Sequence, residues 1–485
     1  MDNRTIISTN RKALRINLDP QIYGTIAEIG GGQEVARYFF QAGAASGTVA
    51  KTISAYDKSY SDALYDGDPK KRYVSEVRVN KMIKTEFEEI TKILSDKRDP
   101  DTLYFAFANT VTTLNYTKDN YCHGWLGVRF QVNPDTEPND VVIHVKLHDT
   151  DYIQQQQALG VLGINLIYAC FKHYETPNIF LQSLLDNLST DRVEVSMAKM
   201  SGPDLDYVDN RLLCLQLVKN KMTPATIFDR NGTVNEPSDM LYKKNVLAFR
   251  GSFRPITYVG FDMLRTSYSM FKKDEDYDKE ITFSLCEMTL NNLLQEGELD
   301  ERDFLDRIDI LNGMGQNVMI SNFREYYKLV EYFSQFKTKN LRVVIGIPTF
   351  LNVLDKKFYE HLKGGILEAF GKLFPNKMKL YVYPTLDTES GDLITSENLP
   401  LPDDLHHLYE YLKCSRKILD LTEVKKDWLH IKSAEVLKMI ENDEDGWEKK
   451  VPVYIEEFIK TRRPFNYKGS DNMINRSESL ENPCL

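Results

Sequence analysis

The chain has 485 residues, 42% hydrophobic and 27% charged, with a net charge of −10. This is ordinary globular composition for two domains or more, and the acidic balance argues against general nucleic-acid binding. No apolar run reaches bilayer-spanning length: the longest, Ala158 to Phe171, reads as a buried core segment. The amino terminus, "MDNRTIISTNRKALRINLD", is charged and lacks the apolar core of a signal peptide. The six cysteines are scattered without a C-x-x-C pair, as expected of reduced thiols. A cytoplasmic location is therefore expected.

In chain order, β-branched and apolar runs predict strands over 24–29, 47–56, 103–111, 125–132, 141–147, 192–198, 245–250, 281–288, 317–321, 341–347 and 378–383. Amphipathic helices lie between many of them, as in "FREYYKLVEYFSQF" from Phe323. The alternation predicts an α/β fold of mostly parallel strand–helix units in two lobes, with an antiparallel hairpin around the Pro/Asp/Asn turn near 133–140 in the first. The expected organisation is an N-terminal α/β domain over 1–230, a second over 231–400, a helical segment over 401–468 and a disordered tail over 469–485.

Four stretches carry chemistry. In "GTIAEIGGGQEVARYFF", Gly30, Gly31 and Gly32 join a strand to a helix opening at Gln33. Such a turn presents backbone N–H groups to a phosphate, and Asp57, after the next strand, is placed to accept ribose hydroxyls. The competing reading is close helix–sheet packing, for which glycine is equally needed. "VVIHVKLHD" places His144, Lys146 and His148 on one strand face. His148 with Asp149 is a general-base candidate at the strand end. "SGPDLDYVDNRL" offers Asp206 and Asp209 as carboxylates for Mg²⁺ carried by a nucleotide, or Asp209 as a helix cap. In "LYKKNVLAFRGSFRP", Lys243, Arg250 and Arg254 surround a Gly-Ser turn and suit a phosphate clamp; the alternative is that the arginines pair with neighbouring carboxylates.

The order Glu28-Ile-Gly-Gly-Gly resembles the first motif of S-adenosylmethionine-dependent methyltransferases. Near the carboxyl end, Ile431, Ser433, Val436 and Ile440, followed by Val451, Pro452, Tyr454 and Ile455, resemble the closing segment of nicotinate- and nicotinamide-nucleotide adenylyltransferases. Ala434 and Leu437 stand where that family has a phosphate-binding threonine and arginine, and its N-terminal G-x-F-x-P-x-H-x-G-H signature is found nowhere in the chain. The whole chain, through Ile29–Phe40, Val208–Val218, Arg250–Pro255 and Gly315–Phe333, is similar to a bacterial family labelled either nucleotide adenylyltransferase or TonB-dependent receptor. The receptor label conflicts with the absence of alternating barrel strands. The whole-chain resemblance implies a cytosolic bacterial origin, and the glycine, arginine and acidic loops lead to an expected enzyme acting on a nucleotide or other small phosphorylated ligand, with nucleotidyl transfer as the named reaction. The alternatives are methyl transfer, or a non-catalytic assembly or regulatory protein able to form a homo-oligomer.

Overall fold

The computed structural model describes residues 5–65, 72–294, 299–375, 377–387 and 390–469. The stretch 470–485, including Cys484 and nearly all of the expected disordered tail, lies outside the described residues. Two compact units are present, Met1–Thr226 and Ile227–Leu485. The fold is mixed α/β, and every strand expected from the sequence is found, with boundaries within three residues.

The first unit is built on six strands: β1 (Ile22–Ile29), β2 (Val49–Ser54), β3 (Leu103–Thr112), β4 (His123–Phe130), β5 (Asn139–Leu147) and β6 (Val193–Ser201). Their order is β2-β1-β3-β4-β5-β6. β1 runs parallel to both β2 and β3, whereas β3 through β6 form antiparallel neighbours. The antiparallel part thus extends well past the expected hairpin. The long helix Tyr152–Lys172 contains the 14-residue apolar run and is buried from Ala158 to Cys170. Asp151 caps it, accepting from the Ile153 and Gln154 N–H groups. Gly160 and Gly163 let it approach the helix Gln33–Ala42: a Cβ at either would come within 2.4 Å of Glu34 or Val35. No helix among the described residues is long and apolar enough to cross a membrane.

The second unit takes β7 (Ala225–Phe228), β8 (Val234–Asn235), β9 (Asn245–Arg250), β10 (Thr282–Thr289), β11 (Asn317–Ser321), β12 (Asn340–Gly346) and β13 (Met378–Tyr383). A small antiparallel pair, β14 (Thr385–Leu386) and β15 (Leu393–Ile394), follows, and then β16 (Ile418–Asp420). The eight-stranded sheet has the order β16-β13-β12-β9-β10-β11-β7-β8. The six strands from β16 to β11 are parallel neighbour to neighbour. Numbered along the chain, they stand 6-5-4-1-2-3, the order of the doubly wound dinucleotide-binding fold. The direction of winding reverses between β9 and β12. The segment after residue 400, expected to be helical throughout, contributes β16 as an edge strand. Three residues are too few for their periodicity to be read.

The buried ammonium of the first helix is matched. Lys12 is 1% exposed; its ammonium lies 2.7 Å from Asp186 and 2.8 Å from the Asn165 amide oxygen. Truncating one member of such a pair strands the other charge without water. Lys12→Ala is therefore expected to cost about 3–5 kcal/mol, seen as a lower urea midpoint for the first unit.

Candidate functional site

The glycine turn forms as expected, with the helix opening at Gln33 and Gly32 at its cap. Its surroundings match close packing. Gly30 has φ +88°, and a Cβ there would lie 1.9 Å from the Val111 carbonyl oxygen. At Gly31 a Cβ would meet Thr113 at 3.1 Å, and at Gly32 it would strike the Asn109 amide at 2.4 Å. Two of the turn's polar groups are already engaged. The Asn109 amide donates to the Gly31 carbonyl at 2.6 Å, and the Gly32 N–H donates to the Gln33 side chain at 3.2 Å. Asp57 follows β2, next to β1, but its carboxylate accepts from the Tyr60 N–H and caps the helix Lys58–Leu64. Tyr56 is the residue there that reaches the turn, through Gln33 at 2.8 Å.

Glu28, which the sequence showed only as part of a methyltransferase-like order, was given no role of its own. It is 3% exposed and sits in register with Ser54 of β2 and Asn109 of β3, one residue before the carboxyl end of β1. Neither carboxylate oxygen completes a hydrogen bond. Burial raises its pKa, and the nearby Ser54 hydroxyl and Gly31 N–H only partly offset this.

His148 and Asp149 line one cavity of about 410 Å³, but they do not pair with each other. Asp149 is held by Arg192, which donates from Nε at 3.0 Å and Nη2 at 2.8 Å. The carboxylate facing His148 is Glu194, 3.6 Å from its Nε2. Burial alone would raise the pKa of Glu194. His148, Lys146 and Thr223 outweigh it and bring the value down to about 2. The face expected to be polar is largely buried: His144 is 1% exposed and Lys146 6%. His144 Nε2 lies 3.0 Å from His123 Nδ1, and its Nδ1 lies 2.5 Å from the Ser196 hydroxyl. Ser196 is skipped in the pairing of β5 with β6, at an irregularity between His144 and Val145. Burial depresses both imidazoles, His123 to about 4, so the pair is neutral at physiological pH.

Asp206 is exposed in the loop after β6. Asp209 caps the helix Asn210–Lys219 and is bound by Arg211 at 2.7 Å. Among the described residues no group of three or more His, Cys, Asp or Glu is arranged to hold a metal ion.

In the second unit, Arg250 closes β9 and turns inward. Its Nε and Nη2 donate to the fully buried Glu287 at 2.5 and 2.9 Å, and its Nη1 to the Arg324 carbonyl at 3.0 Å. The guanidinium lies over the Tyr326 ring, 4.4 Å from its centre. Arg254 donates to Asp303 at 3.0 Å and stands 3.7 Å from Glu441. Both arginines are thus neutralised within the fold. Lys243 precedes β9 and is exposed at its opposite end. Six strand residues, at roughly 3.3 Å each, keep it apart from Arg250, so the expected three-residue cluster does not form.

The turn after β9 carries a second overlooked signal. Gly251, Phe253 and Pro255 supply the G-x-F-x-P half of the adenylyltransferase signature, with Thr257, Val259 and Gly260 at the H-x-G-H positions. A search for the half-motif behind a strand would have found it. The closing segment packs against this turn. Ser433, opening the helix Ser433–Glu441, lies 3.3 Å from the Thr257 hydroxyl, and Trp428 stacks on Tyr258 with centroids 4.6 Å apart.

Two substitutions test these assignments. Glu28→Gln is expected to stabilise the first unit by about 1 kcal/mol at neutral pH by removing an unsatisfied buried charge. A raised native pKa destabilises the fold only above the ordinary glutamate value. The gain should therefore vanish as pH falls toward 4.5, in urea titrations at stepped pH. Arg250→Ala should cost about 3–5 kcal/mol by stranding Glu287, measured as a lower melting temperature of the second unit.

No family model matches the chain, and no curated protein matches it. Solved structures similar to part of it include two described as competence or damage-inducible and one as a competence-damaged protein. The competence/damage inducible protein CihA from Agrobacterium tumefaciens has 14% identity, TM-score 0.23, and covers 33% of this chain and 92% of its own. A competence or damage-inducible protein from Enterobacter asburiae has 14% identity, TM-score 0.25, and covers 35% and 99%. A CinA superfamily protein from Escherichia coli has 14% identity, TM-score 0.23, and covers 36% and 88%. Likeness at this level assigns neither family nor activity.

Proposed function

We propose that the second unit binds a nucleotide or nucleotide-like phosphorylated molecule at the carboxyl edge of its parallel sheet, where β9 and β12 diverge. The carrying observation is the strand order, because in doubly wound sheets the crevice at the reversal of winding is where ligands sit. The half-signature turn follows the first strand at that point, and the closing helix is tied to it through Thr257 and Ser433. Ser252, Arg324 and Thr349, after β9, β11 and β12, are exposed there.

The same residues argue against adenylyl transfer. Thr257 and Gly260 carry no imidazole, and Ala434 and Leu437 offer no phosphate contact. Arg250 and Arg254 are committed to Glu287 and Asp303, which leaves little free positive charge for a triphosphate. The reading is binding of a ligand with few phosphates, in a sensing or assembly role.

The test is calorimetry of the intact chain with AMP, nicotinamide mononucleotide, ATP and S-adenosylmethionine. A pyrophosphate assay with ATP plus the mononucleotide accompanies it. A mononucleotide should bind, Thr349→Trp should weaken it about tenfold or more by filling the crevice, and no pyrophosphate should appear. Absence of binding by every nucleotide overturns the binding reading; pyrophosphate release overturns the non-catalytic one.

A further inference from the structure

The first unit holds a separate cavity of about 410 Å³, within the size range of small-molecule sites. It opens at the carboxyl ends of β3 and β5, which lie on one sheet edge because each is antiparallel to β4. Its wall includes Lys118, Lys146, His148, Asp149 and Thr150.

The loop carrying Lys118 is stiffened internally. The Asn115 N–H donates to the Asn120 side chain at 2.8 Å, and the Asn120 amide donates to the Thr113 carbonyl at 2.8 Å. The Asn115 amide and Thr117 hydroxyl donate to Asp119 at 2.7 and 2.8 Å. The acid next to Lys118 is therefore consumed by its own loop. Lys118, with φ +55°, extends to the Thr150 carbonyl at 3.4 Å and pairs with no carboxylate among the described residues. The other charges of the cavity are matched: Lys146 with Glu194 at 2.8 Å, and Asp149 with Arg192 at 2.8 Å. The balance is one uncompensated ammonium in a cavity that also holds the accessible imidazole of His148, whose Nε2 lies 3.6 Å from Glu194; the lining carboxylate, Asp149, is engaged.

We propose that this cavity binds a small anion, a carboxylate or a phosphate group, with Lys118 as its charge partner and His148 as a second hydrogen-bonding group. Lys146 would stay on Glu194 and shape the floor. Both Lys118 and His148 are solvent-accessible, so either can be replaced without emptying the core.

The test is calorimetry of the intact chain at fixed ionic strength, with inorganic phosphate in one arm and acetate in the other. One anion should bind saturably. Lys118→Ala and His148→Gln should each weaken it about tenfold with unchanged melting temperature, while Lys118→Arg retains it. Saturable binding of phosphate alone or of acetate alone identifies which group is taken. No saturable binding in either arm overturns the proposal. So does binding that Lys118→Ala leaves intact, which would place the anion elsewhere in the chain.

Discussion

Glu287 is a carboxylate with no exposure to water, and the second unit is arranged around that fact. An ion so placed must be paired, because burial removes hydration worth several kcal/mol. Arg250 supplies two parallel hydrogen bonds, and the Ser321 hydroxyl supplies another. These three residues come from the ends of β9, β10 and β11, so one carboxylate gathers three neighbouring strands. Arg250 also holds the Arg324 carbonyl, and the Gly251 N–H donates to the Glu287 carbonyl. The turn into the helix Tyr258–Phe271 is thereby set by an internal ion pair. A guanidinium used in this way is withdrawn from ligand binding, which explains how a phosphate-clamp pattern in sequence becomes a structural brace in space.

The first unit applies the same rule, with two exceptions. Lys12 meets Asp186, Lys146 meets Glu194, and Arg192 meets Asp149. At Glu28, His123 and His144 burial is instead the largest influence and shifts each toward its neutral form. The two kinds of buried group respond oppositely to acid. Protonating Glu28 relieves a penalty. Charging the imidazoles below their ordinary range favours the unfolded chain, where they are hydrated.

The candidate sites differ in what carries them. In the second unit it is topology and a half-motif: the proposed nucleotide crevice rests on the strand order, and no imidazole stands at Thr257 or Gly260 in the turn beside it. In the first unit it is charge balance around a cavity. There the cation that stands out is Lys118, because the acid beside it in sequence is tied to Asn115 and Thr117.

Features that depend on neighbours along the chain were legible in the amino-acid sequence alone. Strand–helix alternation predicted the elements, the glycine run predicted the turn before Gln33, and Asp209 was readable as a helix cap because a cap reaches only two or three residues. Features that depend on which strands lie side by side were decided by the tertiary structure. Arg250 and Arg254 were visible as cations, but Glu287 and Asp303 lie 37 and 49 positions away. His148 was visible as a base, but Asp149 at its side turned to Arg192 and left Glu194 to face it. The strand order that supports a nucleotide crevice is likewise invisible to periodicity, which reports the faces of each strand and not its neighbours. Local geometry is written in spacing, whereas pairing across a sheet is settled only when burial forces each charge to find the partner that packing brings within reach.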